Sequence, residues 1–382
     1  MKMLVLGAGL QGCACAYDLL QSDGVSRVTL ADLRLDHLPP FLAERGDWGG
    51  RLATVRLDVT DPVAVGETLR GQTSVMSAIP YYYNGPMARA AVEAGCHFSD
   101  LGGNTEIVFE QKKLHDHALA RGVSVIPDCG LAPGMVNILA AEGIRRLDQA
   151  ETVKVYVGGL PQHPEPPLNY QIVYSLEGAL DYYTTPSWVL RGGKPVQVDA
   201  LSELEAVDFP EPVGTLEAFH TGGGISTLPF AYQDKVDVME YKTLRYPGHV
   251  AIMRPIRELG LLDNTPVEVK GKSVVPRDVF IATVHPKLHK PQGRDLVALQ
   301  VMVSGRAAGK AAQVAFRLID RYDAAHGISA MMRTTGYSLS ITGQMQADGR
   351  VTAKGVHTPD EAIPFRAYVD ELARRGVRIE EL

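Results

Sequence analysis

Cysteine is scarce in this chain: four residues in 382, namely Cys13, Cys15, Cys96 and Cys129. So few cysteines make no disulfide framework for a chain of this length. Cys13 and Cys15 lack the spacing of a metal pair and, on a helix, point to different sides. Long hydrophobic runs are missing as well, since no uninterrupted apolar stretch reaches the roughly 20 residues that a membrane span needs. Excess positive charge is also absent. With 38 Lys and Arg against 44 Asp and Glu the net charge is -6, which gives no electrostatic reason to expect nucleic acid or an anionic membrane as partner. A secretory leader is not expected, because glycines and Gln11 interrupt the apolar stretch after Lys2, and Tyr17 and Asp18 follow where cleavage would occur. These absences predict a reduced, cytoplasmic protein.

What is present is the make-up of a globular chain, 45% hydrophobic and 21% charged, and long enough for two domains. The first third alternates short β-like runs ("MLVLG", "RVTLAD", "VRLDVTD", "SVMSAIP", "CHFSDLGG", "VSVIPDCG") with helical stretches, among them "TEIVFEQKKLHDHALARG" closed by Gly122. That alternation predicts an α/β fold with a Rossmann-type, doubly wound parallel sheet. After a helix through Ile138 to Leu147 the character changes. "ETVKVYVGGL", "LVALQVMVSG" and "KAAQVAFRLID" have period two, which predicts an inserted α+β domain of mostly antiparallel sheet. From Ile328 the chain is helical again. The expected division is 1–130 for a dinucleotide domain, 131–327 for a substrate and dimerisation domain, and 328–382 for helices returning to the first.

"LGAGLQG" sets Gly7, Gly9 and Gly12 between a strand and a helix, and Asp32 stands twenty positions after Gly12. In that context Gly7 allows a tight turn, Gly9 lets a pyrophosphate approach the backbone, and Gly12 allows close helix–strand packing. Leu10 and Gln11 open the helix, whose N–H groups and dipole face the phosphates. Asp32 suits a ribose 2′-hydroxyl and would repel a 2′-phosphate, so the expected cofactor is NAD; Arg34, two residues on, weighs against strictness. Asp58 and Val59 stand where an adenine rests, with a solvated strand-end carboxylate as the equal alternative for Asp58. Ile79, Pro80 and Tyr81, with Asp128 and Cys129, follow strands at their carboxyl ends, where the nicotinamide lies; packing is as good an account of the tyrosine.

"LGAGLQG", "SAIPYYYN", "DLGGNTEI", "IPDCGLAPGMVNILA", "EAFHTGGGISTL" and "YKTLRYPGH" together resemble the saccharopine dehydrogenase-like superfamily, nearly end to end. "VYVGGLPQHPEPPLNY" and "YSLEGALDYYT" resemble most its L-lysine 6-dehydrogenase branch. Ala132 is a departure, since saccharopine reductases usually carry Asp-Pro-Gly where this chain has "LAPG". The resemblance implies NAD-dependent oxidative deamination of the lysine ε-amine to allysine, which cyclises to piperideine-6-carboxylate. It also implies a small-molecule partner and a homodimer or larger homo-oligomer. Saccharopine or carboxynorspermidine dehydrogenase activity is the first alternative, and a non-catalytic NAD sensor the second.

Hydride leaves Cε of lysine only when the amine is neutral, yet its solution pKa is ~10.4, so a base or a desolvating site is needed. His220 is the candidate proton shuttle, with Glu217 to orient it and Tyr81 as a third catalytic candidate. Structural and surface roles are the commoner fate of a lone histidine. Arg245 is the candidate carboxylate clamp, flanked by Tyr246 and His249, with a structural ion pair as the even alternative. Thr221 and Gly223 in the glycine run, and Glu177, which equally suits a helix start, complete the candidate substrate contacts. Cys129 reads as a pocket wall and not a nucleophile. No metal is expected, because His115 and His117, two apart on a helix, face different ways.

Overall fold

The computed structural model describes residues 1–36, 38–44 and 46–382. Six strands in the first third, β1 (Lys2–Leu6), β2 (Arg27–Asp32), β3 (Leu52–Arg56), β4 (Ser74–Ser77), β5 (His97–Asp100) and β6 (Ser124–Ile126), form one parallel sheet. The short strand Gly355–Val356 joins its edge, giving the order Gly355–Val356, β6, β5, β4, β1, β2, β3. β1 and β4 are buried along nearly their whole length, because helices cover both faces of the sheet. Strand order reverses between β1 and β4. The carboxyl ends of those two strands therefore open a crevice, the place where such sheets take ligands.

The second sheet has nine strands: β7 (Gln149–Pro161), β8 (Ser187–Arg191), β9 (Lys194–Val198), β10 (Glu205–Asp208), β11 (Thr215–His220), β12 (Val238–Arg245), β15 (Asp295–Ala307), β16 (Lys310–Arg321) and Glu380–Glu381. Between β12 and β15 in the chain, β13 (Val267–Val269) and β14 (Lys272–Val274) form a separate hairpin. The long sheet pairs are antiparallel except for β7 with β12, which run parallel. From Leu299 to Gly305, β15 alternates buried and half-exposed residues, the period-two signature of a strand with one covered face.

The tail comes back to the parallel sheet. Helix Ala330–Ala347 packs on helix Leu10–Gln21 so closely that a Cβ on Gly336 would stand 2.8 Å from the Cβ of Ala14. Buried Asp18 takes the hydroxyl of Ser340 at 2.6 Å and the Nε of Arg375 at 2.6 Å, which ties both late helices to the first.

Two local expectations need correction. The helix read through "TEIVFEQKKLHDHALARG" is two helices, Thr105–Lys112 and His115–Ala120. His115 sits against the late edge strand, its Nδ1 3.2 Å from both the amide nitrogen and the carbonyl of Val356, a partner that no local pattern contains. The third strand stops at Arg56. Beyond it Asp58 accepts the N–H and hydroxyl of Thr60, and Asp61 caps the helix Pro62–Leu69, so short polar side chains turn the chain where a strand was expected.

Candidate functional site

At the crevice, Gly7 has φ +98°, and a Cβ there would stand 2.6 Å from the carbonyl oxygen of Ala78 at the end of β4. A Cβ on Gly12 would collide with the carbonyl of Gly7. Gly9 differs: nothing lies within 4 Å of its would-be Cβ, and no side chain caps the helix that it opens. Unsatisfied N–H groups at a helix start, facing open space over a glycine, are an anion site. Asp32, at the end of β2, accepts the N–H of Ala8 at 2.6 Å and that of Arg34 at 2.9 Å, which places a carboxylate beside the loop. Gln11 has both side-chain polar atoms buried without a hydrogen-bond partner, on the wall of the adjoining cavity. A loop open only at Gly9, a carboxylate beside it and an orphaned amide fit a nicotinamide dinucleotide.

One cavity adjoins this loop at Gln11 and a second lies beyond it, and Tyr182 lines both. The smaller, about 190 Å³, has Gln11, Leu101 and Gly102 on one wall and Val157, Gly159, Tyr241, Thr243 and Arg245 of the second sheet on the other. Tyr241, Thr243 and Arg245 are alternate residues of β12, so one face of that strand supplies all three. Met331 and Thr335 reach in from the late helix. Among the described residues no acidic side chain lines this cavity, and Arg245 is the one basic side chain in its wall.

Arg245 is 4% exposed. Its Nε donates to the hydroxyl of Tyr183 at 3.1 Å and its Nη1 to the carbonyl of Leu244 at 2.8 Å, while its Cζ lies 4.7 Å over the ring of Tyr170. Among the described residues no carboxylate pairs with it. A buried guanidinium left without a counter-ion is costly, and a carboxylate entering the cavity would supply the missing charge.

The larger cavity, about 330 Å³, continues past Tyr182 and is lined by Tyr81, Gly103, Asn104, Thr185, Gly223 and Arg277 among others. Arg277 differs from Arg245 in being paired: Nη2 contacts Asp181 at 2.5 Å and the carbonyl of Glu177 at 2.7 Å.

Behind Gly102 lies a pair of buried carboxyls. Asp100 accepts the N–H of Gly102 and the amide of Gln111, both at 2.7 Å, yet burial pushes its pKa up to about 6. Asp128 is fully buried at φ +61°; among the described residues no hydrogen bond of good geometry reaches its carboxyl oxygens, and the Ser226 hydroxyl beside them favours the charged form only weakly against burial. Burial first, then the Asp100 carboxylate, push it up to about 8. The neighbouring Cys129 thiol contacts the carbonyl of Ile126 at 3.1 Å, and burial raises its pKa well above the ordinary value, so it is a neutral thiol and no nucleophile.

Several expected site residues stand elsewhere. His220 is fully buried and lines neither cavity; its Nδ1 faces the carbonyl of Tyr241 and its Nε2 faces Glu203, both at 3.1 Å. The register explains the miss. His220 stands opposite Lys242, whose side of β12 is not the side of Tyr241, Thr243 and Arg245. Glu217 stands opposite Arg245, but its carboxylate accepts the N–H groups of Gly248 at 3.0 Å and Val250 at 2.7 Å, holding the start of helix His249–Glu258. Tyr246 donates to the carbonyl of Pro161. Glu177 is exposed in the first turn of helix Leu176–Thr184, and Thr221 bonds Thr243 from behind the cavity wall. Tyr81 and Gly223 line the larger cavity. Asp58, exposed, closes its own turn, with the Thr60 hydroxyl and N–H holding its carboxyl below the usual range.

Among the cavity-wall residues that sequence reasoning did not single out are Tyr174, Tyr182, Tyr241 and Thr335. The tyrosine density of "YSLEGALDYYT" was the available signal for two of them; nothing local marks Thr335. Among the described residues, Glu203, His220 and Glu240 bring ligand atoms within 4.8 Å of one another. The protein's own cations already serve them: Arg191 lies 2.8 Å from both carboxylates and Lys154 lies 3.4 Å from Glu240.

The comparisons agree with this geometry. The saccharopine dehydrogenase NADP binding domain pattern matches residues 3–126, and that of the saccharopine dehydrogenase C-terminal domain matches residues 130–377. The saccharopine dehydrogenase (NADP(+), L-glutamate-forming) of Schizosaccharomyces pombe is 22% identical over 403 residues, covering 86% of this chain and 88% of its own. The mitochondrial alpha-aminoadipic semialdehyde synthase of Mus musculus is 25% identical, covering 98% of this chain but 47% of its own, so the chain spans about half of that relative. Apo saccharopine dehydrogenase (L-Glu forming) from Saccharomyces cerevisiae superposes with a TM-score of 0.80 at 21% identity, covering 100% of this chain and 99% of that one. A homospermidine synthase from Legionella pneumophila, solved with NAD, has a TM-score of 0.70 at 11% identity and covers 100% of this chain and 91% of its own. The chain belongs to the saccharopine dehydrogenase family.

Proposed function

We propose that the chain is a dinucleotide-dependent dehydrogenase of an amino-acid amine, and that its reaction is oxidative deamination of the ε-amine of L-lysine to allysine, with release of ammonia. The observation that carries this is Arg245, a buried guanidinium with no carboxylate partner, facing a cavity beside the glycine loop. A substrate carboxylate answers that charge, and methylenes suit walls made of Leu101, Ala132, Val157 and Met331. The same apolar walls and the nearby guanidinium disfavour an ammonium, which helps to free the amine lone pair needed for hydride to leave Cε. A bound dinucleotide supplies the hydride acceptor. The chain's part is to hold the carboxylate at Arg245, set the amine end toward Gln11 and Gly102, and limit water. Water then adds across the C=N bond, and ammonia leaves.

NAD is the proposed cofactor because the Asp32 carboxylate sits beside the loop where a 2′-phosphate would come. The names of the Schizosaccharomyces pombe relative and of the matching N-terminal domain carry NADP, so the preference is tested directly, by comparing the two dinucleotides with one substrate.

A second reading rests on the larger cavity, which leaves room beyond Tyr182 for a secondary amine conjugate such as saccharopine. Its guanidinium, Arg277, already has Asp181, which favours the smaller substrate. The deciding experiment measures NADH formation by the purified protein offered L-lysine, saccharopine and carboxynorspermidine separately from neutral to alkaline pH. Lysine turnover rising with pH supports deamination. Turnover of a conjugate alone moves the assignment to the second reading, and cofactor binding without any turnover sinks both.

A further inference from the structure

Arg245 is held by a relay of buried side chains outside the cavity, and we propose that Tyr183 and His249 are positioning residues that aim its guanidinium at the substrate carboxylate. The proposal rests on the role given to Arg245 above. The hydroxyl of Tyr183 lies 3.1 Å from Nε of Arg245 and 3.0 Å from Nε2 of His249, and Nδ1 of His249 lies 3.1 Å from the carbonyl of Leu168.

One proton arrangement satisfies the whole chain. A carbonyl only accepts, so Nδ1 of His249 carries the hydrogen and Nε2 is the acceptor. Tyr183 must then donate its hydroxyl hydrogen to Nε2, which leaves its oxygen lone pairs for the Nε–H of Arg245. With Nη1 also bonded to Leu244, two sides of the guanidinium fork are fixed, and among the described residues nothing accepts from Nη2.

The imidazole is held as firmly as the guanidinium. It stacks on Phe219 at 6.3 Å with 9° between the planes, and Tyr170 and Tyr183 meet it edge-on at 5.7 Å each. Glu217 accepts the N–H of Gly248 and of Val250, the residues on either side of His249. Burial and the nearby Arg245 depress the imidazole pKa to about 3, in keeping with a ring that accepts at Nε2. Glu217 therefore reaches the site only through the relay.

The test uses Tyr183→Phe, which removes one oxygen, and His249→Gln, whose amide still offers an acceptor to Tyr183. Two quantities are read for each: the dissociation constant of hexanoate with NADH bound, and kinetics with L-lysine against cadaverine, the diamine that lacks the carboxylate. For Tyr183→Phe, hexanoate should weaken and the lysine KM rise roughly tenfold, with lysine kcat and cadaverine kcat/KM unchanged. His249→Gln should show the same pattern with a smaller loss. A folded Tyr183→Phe enzyme that keeps both quantities within twofold of wild type overturns the proposal, as does an equal loss on cadaverine. If lysine is not a substrate at all, that shows in the wild type, and the hexanoate constants still decide the relay. A wild type that binds no hexanoate overturns the relay and the Arg245 assignment together.

Discussion

The guanidinium carbon of Arg245 stands 4.7 Å over the ring of Tyr170, so an aromatic face rather than a carboxylate lies against this buried cation. A cation–π contact returns only about 0.5–2 kcal/mol, less than a buried charge loses when it leaves water. The site therefore holds a charge that the free protein would be more stable without, as binding sites commonly do. Arg245→Met should raise the thermal midpoint while cutting kcat/KM for L-lysine by roughly 10–100-fold, the worth of charge-assisted hydrogen bonds. Calorimetry and steady-state kinetics on one preparation check both. A variant that melts earlier than wild type would mean that Arg245 is a structural group.

Asp32 reaches back to the N–H of Ala8 at 2.6 Å, so it shapes the glycine loop as well as standing at the proposed ribose site. Asp32→Asn keeps an acceptor for that N–H and removes the charge, at the cost of the second acceptor oxygen, which takes the N–H of Arg34. The KM for NAD should rise roughly tenfold as the charge-assisted bond to the ribose is lost, and the KM for NADP should fall. Paired titrations of the two dinucleotides at constant ionic strength measure the ratio. If the ratio does not move, Asp32 does not select the cofactor.

The parts of the molecule that could be read from sequence are those whose signal is local. The glycine loop, its strand and helix, and Asp32 occupy one βαβ unit, within which Gly12 packs on Gly7, while Gly7 meets Ala78 after β4 and Gly9 faces open space. Arg245 was accessible by chemical need alone. Most of the rest of its cavity was not, because Tyr182, Tyr241 and Thr335 come from three segments that meet Gln11 only in the folded chain. His220 is the opposite case, a residue singled out from sequence that stands outside this cavity. A histidine before three glycines suggests a catalytic loop, but alternation along β11 turns its ring to the side of Lys242 and Glu203, where it joins a charge network. Glu217 lies two strand positions from Phe219 on the correct side of the sheet, and a helix start takes it.

Gly9 and Gly12 should separate binding from folding. Gly9→Ala adds a Cβ with nothing within 4 Å, so the protein should melt as wild type does while its affinity for the dinucleotide falls, because the methyl enters the space facing the helix start. Gly12→Ala drives a Cβ into the carbonyl of Gly7 and should lower the melting temperature as well. Thermal melts with and without NADH distinguish the two. Equal stability losses would mean that the backbone at Gly9 is as constrained as at Gly12.

Asp128 makes the stability of the fold depend on pH. Its folded pKa is pushed up to about 8, against an unfolded value near ~3.9. Between those values the folded state holds a proton that the unfolded state has lost, so stability falls as pH rises through this window and levels off above it. The ionised carboxylate, buried beside Asp100 with only the Ser226 hydroxyl near to favour it, is the form that costs. Asp128→Asn removes the ionisation and keeps the shape. It should therefore melt later than wild type at pH 9, with the gap closing toward pH 4, where folded Asp128 is neutral and the unfolded carboxylate is regaining its proton. Melting curves of the two proteins across pH 4 to 9 supply the comparison. A gap that stays constant with pH would mean that Asp128 is ionised throughout, held by a partner such as Lys112, and that its carboxylate is part of the fold's charge balance.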